Sequence, residues 1–319
     1  MIAPGLERLE LKTDTFSVEV LPSLGGKVAS MRKNGVELLQ QPILPYAPRT
    51  LTTAFEESDA SGFDECMPSV AACDIDAPEG KLSIPDHGEF WRLPWAVTSA
   101  NESELQLTAT GTVLPLRFER KLRLSNAPGR HQAETLHIDY RLENIGHHET
   151  HYLWSAHPLF AVDPGDSIRL PAPVATVTVE SSSRNRLGPR GTVHPWPFAQ
   201  LASGGMAQLD RVGHESDNTG DKLYADAPVD DGWSAIERRK AGLRVQVEFD
   251  PKITPWLGLW LCYGGWPGNN PLRQFCVALE PCTSPADSLA TAIAAGQART
   301  LGPGQCDLWW MRVVTTVVS

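Results

Sequence analysis

Apolar and polar residues alternate with period two along much of the chain, and that period predicts β-strands rather than helices. Thr15-Phe-Ser-Val-Glu-Val-Leu21 is the first clear run; Pro22-Ser-Leu-Gly-Gly26 then turns the chain into a second strand, Lys27 to Met31. Asn34-Gly35 is a tight-turn signal leading back into Val36-Glu-Leu-Leu39. The alternation is sharpest after Glu104. Leu105 and Leu107, then Leu116 and Phe118, then Leu122 and Leu124 after an apparent shift, and finally Leu136, Ile138, Tyr140 and Leu142 against His137, Asp139 and Arg141 read as half-buried antiparallel strands. Asn126-Ala-Pro-Gly129 is the expected turn between two of them. Further strands are predicted at Leu243 to Phe249, Trp256 to Tyr263, Arg273 to Glu280 and Gln305 to Val318.

Two stretches lack the period. Residues Gln41 to Pro85 are rich in Pro, Ser, Asp and Gly, and Ser181 to Asp231 is loop-like. One short helix is predicted, with Ser284 as N-cap, Pro285 at the first helical position and Asp287 at the third; Leu289, Ala290, Ile293 and Ala294 follow at helical spacing and Gly296 stops it. The chain is therefore expected to be all-β, with few short helices and no internal repeat or boundary that would divide residues 1–319.

Composition narrows the function classes. Hydrophobic residues make up 41% and charged residues 21%, the profile of a globular protein. The net charge of -10 and the lack of a basic run argue against nucleic acid or an anionic membrane as partner. Met-Ile-Ala-Pro-Gly-Leu-Glu-Arg8 has no secretory pattern and no apolar run is long enough to span a bilayer, so a cytoplasmic location is expected. The six cysteines show no CxxC spacing and read as free thiols.

The chemistry is concentrated at a few points. Along Arg273-Gln-Phe-Cys-Val-Ala-Leu-Glu280-Pro281, Phe275, Val277 and Leu279 face one way as core. Gln274, Cys276, Ala278 and Glu280 face the other, as suits a cavity wall. Pro281 has no N–H for a ladder, so the strand is expected to stop there with Glu280 at its rim. His157-Pro158 is built alike. His87-Gly88 sits in a loop with Trp91 close behind, and Gly62-Phe-Asp64-Glu65-Cys places two acids beside an aromatic. His147 and His151 invite a metal, but the segment reads as a strand rather than a helix and lacks a third ligand at a suitable spacing, so no metal is expected there.

In this order, His87-Gly-x-x-Trp91, Trp154-Ser-Ala-His157-Pro-Leu-Phe160, Val277-Ala-Leu-Glu280-Pro281 and Leu301-Gly-Pro-Gly304 resemble the aldose 1-epimerase (galactose mutarotase-like) family. The resemblance runs from the Gly25-Gly26 hairpin to near the end of the chain. It implies a single carbohydrate-binding domain, a large antiparallel β-sandwich of the supersandwich type, with a concave sugar site on one sheet. It implies an isomerase that interconverts the anomers of a monosaccharide or sugar derivative without a metal or organic cofactor. Glu280 matches the base that takes the anomeric proton, His157 the acid that protonates the ring oxygen, and His87 a histidine that holds the sugar.

Two departures from that pattern bear on the substrate. The Asn-Arg pair that precedes the first histidine in galactose mutarotases has no match, leaving Arg49 and Arg92 as candidates. The late Asp-His pair is replaced by Asp221-Lys222: Asp221 is a candidate for a sugar hydroxyl and Lys222 for a phosphorylated or acidic sugar. Trp91, Trp154 and Trp266 are candidate ring platforms. Three other readings stay open: a module of the same fold that only binds carbohydrate, a glycoside-cleaving enzyme using Asp64 or Glu65 with Glu280, and a sugar-specific epimerase acting at another carbon.

Overall fold

The computed structural model describes residues 6–78, 80–126, 133–268 and 272–318. Two large antiparallel sheets account for most of it, one of eleven strands and one of eight. In the larger sheet the middle positions are held by Ser155–Ala161 and Phe275–Cys282, with Phe63–Cys66 outside the first and Trp256–Tyr263 outside the second. Thr219–Ala225 and Thr176–Ser182 follow towards one edge. The smaller sheet is built around Cys306–Val317, Glu134–Asn144 and Leu116–Asn126. Of the expected Asn126–Gly129 turn, Asn126 is the last residue of that strand and residues 127–129 lie outside the described residues.

Side-chain alternation sorts the sheets into layers. In Leu243–Phe249 every second residue is buried, so one face meets the core and the other is partly wet. The central strands of the larger sheet are covered on both faces. Val277 and Leu279 join the main core that both sheets share, while Cys276 and Ala278 pack on the far face with Leu159, Cys262, Phe55 and Trp91. That second cluster is the floor of a concave surface.

Several sequence expectations are corrected. The apparent shift between Phe118 and Leu122 is no shift: Arg120 occupies the core-facing position between them, fully buried, and its guanidinium meets Glu65 at 2.7 Å. The strands do not end at Pro158 or Pro281, because each proline removes only one donor; Pro158 stays in register with Phe63, and Pro281 with Leu257. The helix begins at Leu289 with Ser288 as N-cap, so Ser284 to Asp287 is loop. The segments read as irregular contain the Phe63–Cys66 and Thr219–Ala225 strands, both inside the larger sheet. No helix among the described residues is long and apolar enough to cross a membrane.

Beside the central strands lies a buried charge cluster. Lys27 Nζ is 3.0 Å from Asp59 and 2.5 Å from Asp64, and Arg49 bonds Asp59, Asp64 and the Trp91 carbonyl. Burial works against the Asp59 charge, but Lys27 and Arg49 outweigh it and hold its carboxyl at about 2. A folded value below the unfolded one gives stability that is present above pH 4 and lost as the pH falls towards 2, on the order of 2 kcal/mol. Thermal unfolding followed from pH 5 to pH 2 is therefore expected to fall less steeply for Asp59→Asn than for the wild type. Equal slopes would remove Asp59 from the account.

Candidate active site

Strand register brings the two principal candidates together. Ser155 pairs with Cys282 and Leu159 with Ala278, so the same register carried through sets His157 opposite Glu280. No pairing is made between these strands at Ala156, His157 or Pro158, where the two prolines lack donors. The ladder is thus open at the one place where an imidazole and a carboxylate face each other. On its other side Glu280 lies opposite Gly258, which lies opposite Tyr224. A Cβ at position 258 would sit 3.3 Å from Glu280 Oε2 and 3.2 Å from the Tyr224 ring, so glycine leaves the carboxylate its room.

Glu280 is fully buried, and its two oxygens are not equivalent. Oε2 accepts a hydrogen bond from Lys222 Nζ and lies 3.4 Å from Ser155 Oγ. Oε1 has no partner and lies 4.0 Å from His157 Nε2. The Lys222 ammonium is also 3.8 Å from Asp287 Oδ1, which accepts from the Tyr224 hydroxyl at 2.6 Å. His87 enters from a loop with a left-handed backbone at φ 57°. Its ring stacks on Phe55 at 4.1 Å, and the His157 ring stands nearly perpendicular to both. Gly88 keeps that loop close: a Cβ there would fall 2.0 Å from the Met67 carbonyl oxygen.

The environment brings the proton affinities of the facing groups towards each other. Burial raises Glu280 above the usual carboxylate range, opposed by the Lys222 charge. Burial, followed by the charges of His87, Lys222 and Lys27, pushes His157 well below the usual imidazole value. Burial also works against the Lys222 charge, but Glu280 and Asp287 outweigh it, and the ammonium stays protonated. The pair Glu280–His157 is thus suited to share one proton, with one member lifting a proton as the other delivers one.

These groups line a cavity of about 210 Å³, with His87, Trp260, Trp266, Gln274 and Asp287 among its walls. Gln274 and Trp266 both line the cavity. Six candidates are placed elsewhere. Trp154 is core: its Nε1–H donates to Glu65 Oε2 at 2.8 Å, and its ring packs on Tyr140 and Trp309. Asp221 lies on the face opposite Lys222, with its carboxylate held by Arg186 and Ser182. The Arg92 and Arg49 guanidinium groups both lie over the Trp91 ring and donate to backbone carbonyls, and Asp64 is occupied by Lys27 and Arg49. Glu65 points into the main core towards Arg120 and Tyr140, so neither acid of that pair faces Glu280 across the cavity.

Sequence reasoning missed Phe55, Trp260 and Asp287. Trp260 had a usable signal, since the paired strand puts it beside Ala278, on the Glu280 face. Phe55 comes from a segment without a period, and Asp287 was read as the third residue of the helix, whereas it lies in the loop before it. As for metal ligands, one group of three stands close enough among the described residues, Cys66, His87 and His157, and it does not include His147 or His151.

No family profile matches the chain, and no curated protein matches it in sequence. Solved structures match nearly all of it. The Slr1438 protein of Synechocystis sp. PCC 6803 superposes with a TM-score of 0.70 at 16% identity, covering 98% of this chain and 96% of its own. A galactose mutarotase-like protein from Lactobacillus casei gives 0.61 at 14% identity, covering 97% and 100%. The GalM/aldose epimerase homologue of C. elegans gives 0.65 at 12% identity, covering 99% and 100%. The chain has the galactose mutarotase-like sandwich fold at a low level of sequence identity.

Proposed function

We propose that the chain is a mutarotase: it interconverts the anomers of an uncharged aldose by opening and reclosing the ring. The observation that carries this reading is the facing pair of Glu280 Oε1 and His157 Nε2, 4.0 Å apart, in a cavity walled by aromatics. Glu280 lifts the proton from the anomeric hydroxyl as His157 delivers one to the ring oxygen. The C1–O bond of the ring breaks, the aldehyde turns about its bond to C2, and the reverse transfers close the ring on the other face. The pair holds one proton at the start and one at the end, so the pocket's net charge does not change. Each positioned transfer contributes about 10²–10⁴-fold, or roughly 3–5 kcal/mol of barrier. Trp260 and Trp266 offer apolar faces to the ring, and Asp287 and Gln274 offer acceptors to its hydroxyls.

Lys222 does not favour an anionic sugar in this arrangement. Its charge is taken up by Glu280 and Asp287, so Lys222, Glu280 and Asp287 together carry one negative charge. Glucose is expected to bind at least as tightly as glucose 6-phosphate in a calorimetric comparison; clear preference for the phosphate ester would reverse the substrate reading.

Exchange spectroscopy by NMR on several aldoses tests the reaction itself. Wild-type protein is expected to raise the anomer exchange rate of at least one of them. Binding with exchange left at the uncatalysed rate would favour the carbohydrate-binding reading, which needs Trp260 and Trp266 but gives no reason for the opposed pair.

A further inference from the structure

Beside the two histidines of the cavity stands a thiol that ring opening does not use. Cys66 ends the Phe63–Cys66 strand and pairs with Ser155, two residues before His157 on the same face. His87 reaches the same place from its loop. The result is one sulfur and two imidazoles whose donor atoms all lie within 4.8 Å of one another, delivered by two strands and a loop far apart in sequence. Cys66 is fully buried and His157 is 6% exposed, so bulk solvent competes little for these donors.

The polar accounting at this spot is incomplete. His157 Nδ1 and Glu280 Oε1 are both buried without a hydrogen-bond partner. Buried polar atoms are seldom left so. Asp86 Oδ1 stands 3.0 Å from His87 Nδ1, where a carboxylate orients an imidazole that binds metal through its other nitrogen. The charges also fit. A divalent ion would meet the Cys66 thiolate and Glu280, while Asp287 stands by Lys222.

We infer that Cys66, His87 and His157 form a binding site for one borderline-soft divalent cation of the Zn²⁺ or Co²⁺ class, with the side towards Glu280 Oε1 open for a fourth ligand. A thiolate with two imidazoles selects such ions over Mg²⁺ and Ca²⁺, which prefer all-oxygen sites. On binding, the Cys66 S–H bond breaks, the sulfur bonds to the ion and the proton goes to solvent; nothing is oxidised. The ion takes the imidazole that faces Glu280, so cation and aldose exclude each other, and metal loading switches the pocket off.

Co²⁺ titration of the purified full chain tests the site without any sugar. The expected result is one Co²⁺ per chain, with a thiolate-to-cobalt charge-transfer band in the near ultraviolet, tetrahedral bands in the visible, and loss of both on adding one equivalent of Zn²⁺. Cys66→Ser should abolish the charge-transfer band and weaken Co²⁺ binding at least tenfold, whereas Cys306→Ser, at the exposed cysteine, should change neither. His87→Gln, read by the visible bands, guards against a misfolded cysteine variant. Absence of a stoichiometric thiolate band in wild type, or its persistence in Cys66→Ser, would overturn the inference. These readouts are independent of anomer exchange, which is followed on the metal-free chain: a band on Co²⁺ addition with no catalysis by the metal-free chain leaves the site standing and removes the mutarotase, and catalysis without a band does the opposite.

Discussion

Glu280→Gln is expected to slow anomer exchange by about 10²–10⁴-fold while changing the KM for the sugar only a few-fold. The substitution keeps the shape of the side chain, and Lys222 decides how the amide sits. An ammonium only donates, so it takes the amide oxygen, and the amide NH₂ is turned to the position of Oε1, facing His157 and the cavity. A donor then stands where the proton has to be accepted. Sugar hydroxyls can still be bound by that NH₂, which is why the loss belongs in kcat. The variant also leaves Lys222 with Asp287 as its remaining charged partner, and breaking a buried pair costs about 3–5 kcal/mol. Its fold should therefore be checked by thermal unfolding in parallel. A folded variant with exchange within tenfold of wild type would remove Glu280 from the mechanism.

Lys222→Met is expected to move the whole pH–rate profile to higher pH by about one unit or more, and to lower the rate at neutral pH. The sign follows from both members of the reacting pair. Burial raises Glu280 and the Lys222 charge holds it down, so without the cation Glu280 keeps its proton to higher pH and the acid limb moves up. Burial lowers His157 and Lys222 adds to that effect, so without the cation the imidazole also rises and the alkaline limb follows. The limbs are apparent constants of the pair rather than of either residue. Raising the pH should restore part of the lost rate. A lysine that merely props up the pocket would lower the height of the bell and leave its position alone, so kcat/KM measured across pH separates the two roles.

How much of this was legible depends on the range of each interaction. The Glu280, His157 and His87 candidates were each marked by a local feature, a neighbouring proline or glycine, and the cavity contains all three. The prolines were read too strongly. A missing N–H interrupts pairing on one side of a strand, and the structure uses that interruption to part the two central strands where the acid and base face each other, while the outer neighbours keep their register. Asp221 and Lys222 show the opposite failure. Neighbours on a strand point to opposite faces, so the cavity can take only one of them, and it takes the lysine. Trp154 and Glu65 were chemically plausible and went to the core together, each satisfying the other. Arg120 broke an otherwise regular apolar pattern for the same reason, since Glu65 needed a buried cation.

By itself the sequence determined the β architecture, the main turns and the globular character, because alternation, turn residues and composition act between near neighbours and on the whole chain at once. It also marked which imidazoles and which carboxylate were worth suspecting. Only the tertiary structure decided which charges meet: that Lys222 takes one oxygen of Glu280 and leaves the other to His157, that Asp64 is bound by Lys27 and Arg49, and that Cys66 comes within reach of two histidines. Those meetings are set by register between strands far apart in the chain, where one residue of slip would turn every side chain to the other face.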